Sequence, residues 1–244
     1  MDFLKRGQGL IGIIGIAVLV ACTWSAAPAA AAQSYNWTGI YIGAHGGYTR
    51  GTHDVEATGP NSYNSLNEQF DVKTNGFIGG IQGGYNHQIG MFVPGLEADF
   101  GYKDFNGREA SPARFNPQRD TFSISSGGVY GTVTGRLGVA FDRALIYFKG
   151  GYAYSSLNLG IIDNNQIGIT VNAVDRSTRS GWTTGGGAEY AFTGNWSVKA
   201  EYLFMKFGST TISGVSPDND LAYSWRHDAK AHTVKLGINY KFNL

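Results

Sequence analysis

The chain is nearly without cysteine, poor in charge, and has no long apolar run. Its single cysteine, Cys22, lies in a leader-like N-terminal stretch. A mature chain lacking it can form no disulfide, thiol nucleophile or thiolate metal site. Charged residues make up 15% of the sequence, against about 25% in soluble domains. A net charge of +1 without a clustered basic face excludes nucleic acid as a partner. The apolar run at 10–21 is too short for a membrane-crossing helix, which needs about 20 residues.

What is abundant is glycine, at 36 residues, and aromatic side chains, at 14% of the chain. They are arranged with a period of two. In Val234-Lys235-Leu236-Gly237-Ile238-Asn239-Tyr240-Lys241-Phe242-Asn243-Leu244 every second residue is apolar, and those between are Lys, Gly or Asn. Such alternation gives a strand one oily and one polar face. A mean hydropathy of −0.17 is what two opposed faces average to.

Similar segments recur near 37–49, 76–87, 92–102, 128–140, 145–155, 181–191, 196–206 and 232–243. Short connections at 87–92, 141–145 and 191–196 alternate with long polar ones covering 50–75, 103–127, 156–180 and 207–231. Even strand number with short turns at one end and long loops at the other is the pattern of outer-membrane barrels. The expected fold is all-β, an eight-stranded antiparallel up-and-down transmembrane β-barrel spanning residues 33–244 as one domain. Residues 1–32 read as a cleaved secretory signal peptide. Lys5 and Arg6 precede the apolar run, and Ala26-Ala27-Pro28-Ala29-Ala30-Ala31-Ala32 offers A-x-A cleavage sites. A lipidation site at Cys22, after Leu19-Val20-Ala21, is the competing reading of the same stretch.

Energy decides which face meets lipid. One parity carries Glu97, Asp99, Glu189 and Glu201 together with Arg136, Lys149, Lys199 and Lys235. Each basic residue turned to hydrocarbon near the midplane costs about 2–4 kcal/mol, and their sum would exceed the roughly 5–15 kcal/mol that holds a domain together. These charges therefore point inward, as a lumen network of four acids against four bases. Tyr48, Tyr102, Tyr154 and Trp182 then fall at the loop-side membrane interface, and Tyr85, Tyr190, Trp196, Tyr240 and Phe242 at the turn side. A soluble lipocalin-like barrel would invert the faces, but glycine on its water-facing parity would serve no purpose, whereas a narrow lumen needs it. Two readings of the network stay open: a structural plug, or a narrow solute path that opens when the pairs rearrange.

Catalytic patterns are weak. His53-Asp54 and His227-Asp228 are adjacent pairs on the loop side without a nucleophile motif, and Pro217-Asp218-Asn219-Asp220 reads as a turn. No enzyme activity, cofactor or metal is assigned.

Three segments carry a family resemblance: Tyr35-Asn36-Trp37-Thr38-Gly39-Ile40-Tyr41-Ile42-Gly43, Gly79-Gly80-Ile81-Gln82-Gly83-Gly84-Tyr85-Asn86 and Lys199-Ala200-Glu201-Tyr202-Leu203. They resemble the small porin-like outer-membrane barrels of alphaproteobacteria, related in fold to the OmpA-type barrel. The resemblance implies the bacterial outer membrane as location and a structural, porin-like or surface-antigen role. It implies outer-membrane lipid and lipopolysaccharide as surroundings, and the barrel-assembly machinery as a partner during insertion. Some members bind haemin, so an alternative is a surface receptor for haemin, host surface or phage acting through four external loops; no position here matches a haem motif. The chain departs from the family by ending in Leu244 rather than Phe or Trp.

Overall fold

Hydrocarbon offers no hydrogen-bond partners, so a sheet crossing it must close on itself. The computed structural model of the chain describes residues 35–57, 69–110, 121–162, 172–215 and 222–242. Eight strands, β1 (Gly39–Ala57), β2 (Gln69–Asn86), β3 (Phe92–Ala110), β4 (Thr121–Phe141), β5 (Ala144–Ile162), β6 (Asn172–Ala191), β7 (Trp196–Val215) and β8 (Ala222–Lys241), form a closed barrel in chain order. Every neighbouring pair is antiparallel, and β8 returns to β1 through partners such as Ala44 and Ile238. The expected signal segment, residues 1–32, lies outside the described residues.

The strands are longer than the alternation suggested. β1 was expected to stop near Thr49 and runs to Ala57; β5 was expected to stop near Ser155 and runs to Ile162. The reason is physical. Beyond the hydrocarbon the outer face meets water, the apolar parity is lost, and a strand with two polar faces reads as a loop although its backbone ladder continues. A bulge between Phe207 and Thr210 on β7 absorbs one extra residue there.

At the other end the first strand begins later than expected. Trp37 is not in β1. Gly39 has φ 146, a left-handed-side value that favours glycine, and it turns residues 35–38 beneath the barrel. Trp37 then packs with Val93, Leu145, Tyr147 and Ala191 across the turn-side mouth. Its indole N–H donates to the Asp142 carbonyl (3.0 Å), and the Asp142 carboxylate accepts the Tyr35 amide (2.9 Å). Asp142 itself has φ 51 in the β4–β5 turn, a conformation short polar side chains tolerate.

The outer surface is oily. Phe77, Leu96, Leu236 and Ile81 are each more than 60% exposed and belong to a continuous band around the cylinder. Soluble monomers rarely expose apolar patches beyond a few hundred Å².

Candidate functional site

The inward parity of the strands places every charged residue expected in the lumen there. Glu97 and Asp99 come from β3, Arg136 from β4, Lys149 from β5, Glu189 from β6, Lys199 and Glu201 from β7 and Lys235 from β8; all eight are buried. Register sets who meets whom. Arg136 lies opposite Lys149, Glu189 opposite Lys199, and Glu201 opposite Lys235.

Lys149 is the hub. Its ammonium donates to Glu97, to Asp99 (3.3 Å) and to Glu201 (3.2 Å). Lys199 joins Glu97 (2.8 Å) to Glu201 (3.3 Å), and Lys235 joins Asp99 (2.8 Å) to Glu201 (3.0 Å). Arg136 spans Glu97 (3.3 Å) and Glu189 (3.0 Å), with its guanidinium 3.8 Å from the Tyr147 ring centroid. Burying a charge costs several kcal/mol unless its partners and remaining hydrogen bonds compensate. Neutral groups add to that shell: Tyr41 donates to Glu97 (2.8 Å), Tyr147 to Glu201 (2.6 Å), Thr132 to Asp99 (2.7 Å), and Ser197 (2.5 Å) and Asn239 (2.8 Å) to Glu189. The Glu97, Asp99 and Glu201 oxygens lie within 4.8 Å of one another, a spacing that suits a cation. Lysine ammonium groups already serve them, so the cluster is occupied by its own chain.

Tyr147, Ser197 and Asn239 are members that charge counting missed. Parity alone would have found them, since each lies an even number of positions from an inward charge on its strand. Tyr147 was assigned to neither face in the sequence, whereas Tyr41 falls on the inward parity of β1. Space for the long side chains comes from glycine: a Cβ on Gly187 would sit 2.9 Å from both the Glu201 Cγ and the Tyr147 hydroxyl oxygen.

The outer half of the lumen is different. Ala153, Met205, Phe207, Ala229 and Ala231 pack together inside the cylinder, where polar side chains were expected. Large residues on β7 face small ones on β5 and β8, which fills much of a narrow interior with apolar side chains. The buried cations Lys103 and Arg179, from segments read as loops in the sequence, also face inward at this end. A cavity of about 40 Å³ remains beside them, lined also by Thr49, His53, Thr74, Lys103 and Tyr130. His53, read in sequence as a loop residue, is in β1 and buried in the lumen, its Nε2 3.2 Å from the Thr74 hydroxyl. The His227 side chain lies outside the described residues.

Of the residues expected at the interfaces, Tyr48, Tyr85, Tyr102, Trp182, Tyr190, Trp196 and Phe242 are exposed on the outer face, while Tyr154 and Tyr240 are half-buried. Tyr154 lies over its cross-strand partner Gly131, where a Cβ would come within 2.6 Å of the ring. Tyr240 packs edge-on between Trp196 and Phe242, at 5.1 Å from each.

Comparison with known proteins agrees with this architecture. A family model described as outer membrane protein beta-barrel domain matches residues 17–242. The 31 kDa outer-membrane immunogenic protein of Brucella melitensis is 34% identical over 226 residues, covering 89% of each chain. The 22 kDa outer membrane protein of Rhizobium leguminosarum bv. viciae is 30% identical over 215 residues, covering 85% of this chain and 79% of that one. Among solved structures, OprG from Pseudomonas aeruginosa superposes with a TM-score of 0.57 at 11% identity, over 86% of this chain and 99% of that one. At such low identity the likeness concerns the fold alone.

Proposed function

The chain belongs to the outer-membrane β-barrel protein family, and from that membership we propose that it is a structural protein of the outer membrane whose lumen is sealed. The observation that carries this reading is the Lys149-centred network, which spans the barrel from β3 to β8 with its ionic groups paired. Opening a path means separating buried pairs, and breaking such a pair costs about 3–5 kcal/mol. Two broken at once leave an open fraction below about one in ten thousand, since 1.4 kcal/mol is about tenfold. The Trp37 cluster at the turn-side mouth adds a second closure. Eight strands favour a filled interior, whereas aqueous channels belong to barrels of 16–18. The reading assigns no catalytic step to any residue.

Planar-bilayer recording of the purified protein tests it. The expected outcome is no steady current, with brief events at most for Arg136→Ala. A sustained ohmic conductance from the parent chain contradicts the sealed reading and supports a solute path.

A second reading has support of its own: relatives in Brucella are named as immunogenic outer-membrane proteins, which fits a barrel whose external ends meet outside molecules. The strand extensions above the aromatic belt would then be the recognition surface. Titrating haemin against the parent and against His227→Ala separates this reading's haemin form from other partners, because His53 is sheathed in the lumen. Equal, weak binding by both removes haemin.

A further inference from the structure

Just outside the loop-side aromatic belt, the outer face of three consecutive strands carries four basic side chains. They are Lys206 on β7, Lys230 and His232 on β8, and Arg50 on β1. Each is positioned by register. Lys206 is the direct cross-strand partner of Lys230, and Arg50 that of His232. Lys206 is also paired with the interface residue Trp182. Arg50 follows Tyr48 by two positions and Lys206 follows Phe204 by two, so each cation stands directly outward of an aromatic on the same face.

Like charges placed opposite one another destabilise a sheet. The Lys206–Lys230 pair therefore gains nothing from the isolated fold. Asp54, 2.9 Å from Lys230, is the one carboxylate within ion-pair distance of the patch among the described residues. That contact is exposed, and it holds the Asp54 carboxyl below its ordinary range chiefly through the hydrogen bond from Lys230. Asp71 and Asp228, the cross-strand partners of Asp54, stand at its level on the external side of Lys230, and both act on that ammonium electrostatically. Three strong cations thus face outward at the level where lipid headgroups begin. Asp54, Asp71 and Asp228 act on Lys230 from its external side, while Arg50 and Lys206 have no carboxylate within ion-pair distance among the described residues.

The floor beneath them is ordered. Phe204 meets Trp182 at 5.5 Å and His232 at 5.1 Å, and the Tyr202 hydroxyl lies 2.6 Å from His232 Nδ1. Further toward the turn side the same strands expose Val234, Leu236 and Val198. Going inward from the rim, the surface presents cations, then aromatic rings, then aliphatic side chains. This is the complement of an amphiphile with a phosphorylated head and acyl chains.

We propose that Arg50, Lys206, Lys230 and His232 form a binding site for the phosphate-bearing headgroup of an outer-leaflet glycolipid. The grouping favours a phosphate monoester. Such a group carries about −1.5 to −2 charge at neutral pH with three acceptor oxygens, enough to relieve the Lys206–Lys230 repulsion and engage Arg50 together. A phosphodiester brings a single charge and fits the cluster less well.

The test uses the full barrel folded in neutral detergent micelles, titrated with bisphosphorylated lipid A, with chemically dephosphorylated lipid A, and with phosphatidylglycerol. The parent binds bisphosphorylated lipid A most tightly. The triple variant R50Q/K206Q/K230Q binds it at least about tenfold more weakly, the loss expected for one charge-assisted hydrogen bond or more. The control R143Q/R226Q, which removes one exposed charge in the β4–β5 turn and one farther out on β8, stays within about twofold of the parent. A second readout has the opposite sign: without lipid, Lys206→Gln raises the thermal midpoint by removing the opposed charge, and lipid A stabilises it less than the parent. Equal binding by parent and triple variant overturns the site, and so does equal affinity of the parent for phosphatidylglycerol, which marks general anionic adsorption. Should the triple variant not fold, Arg50→Gln and Lys206→Gln singly carry the same comparison.

Discussion

At the scale of single residues, the network is sensitive because its members share partners. Lys149 neutralises parts of Glu97, Asp99 and Glu201 together. Lys149→Met keeps the volume but leaves three carboxylates short of a counter-ion, and breaking a buried pair from one side costs about 3–5 kcal/mol. The urea midpoint of the barrel refolded into lipid vesicles is expected to fall accordingly. Tyr147→Phe removes one neutral donor to Glu201, and losing a hydrogen bond to a charged group costs about 1.5–3 kcal/mol, so its midpoint falls less. A reversed order of the two variants would mean that the pairs do not carry the network. Eight of the charges that enter the lumen were legible in the sequence, because turning them outward is energetically prohibitive; Lys103 and Arg179, buried as well, were read into the long loops. Their partners were less legible. Tyr41 and Tyr147 are inward-facing by parity, but tyrosine is equally at home at a membrane interface, and only the register shows which carboxylates they reach.

At the scale of strands, the two faces answer differently to the same kind of substitution. Leu236 is 67% exposed on the outer face of β8, while its neighbour Lys235 is buried in the lumen. Leu236→Arg near the midplane is expected to cost about 2–4 kcal/mol in vesicles. In a detergent micelle, which lets the side chain reach water, the loss should shrink. Equal stability of Leu236→Arg and parent in vesicles would place β8 outside the hydrocarbon. Strand positions within the membrane could be read from alternation alone, because each face has a single solvent. Strand ends could not: past the aromatic belt both solvents are polar, and 50–57 in β1 reads as a loop although it stays paired with β2 and β8. Trp37 is the opposite case. Its apolar ring suggested the start of a strand, yet the break at Gly39 sends it across the mouth instead. Trp37→Ala removes the largest member of that cluster, and the expected loss is about 3–5 kcal/mol, read from the same urea transition.

For the whole molecule, closure links these facts. Each strand has two bonded neighbours, β1 and β8 included, so no edge is left for hydrocarbon to desolvate. The cylinder divides along its axis into a Trp37 layer at the turn-side mouth, an ionic layer around Lys149 and an apolar layer around Met205 and Phe207. The last of these was not foreseen, since Leu203, Met205 and Phe207 break the rule that inward means polar. Their signal was the continued parity of Lys199 and Glu201 along β7. All three layers depend on one arrangement, with aliphatic side chains on the lipid side and ionic ones within. Nitroxide labels on single cysteines at each position from Val234 to Asn239, in a chain with no other cysteine and reconstituted in vesicles, test it most directly. Collisions with dissolved oxygen are expected to rise at Val234, Leu236 and Ile238 and to fall at Lys235, Gly237 and Asn239. A flat profile, or one with the maxima at the odd positions, would contradict it.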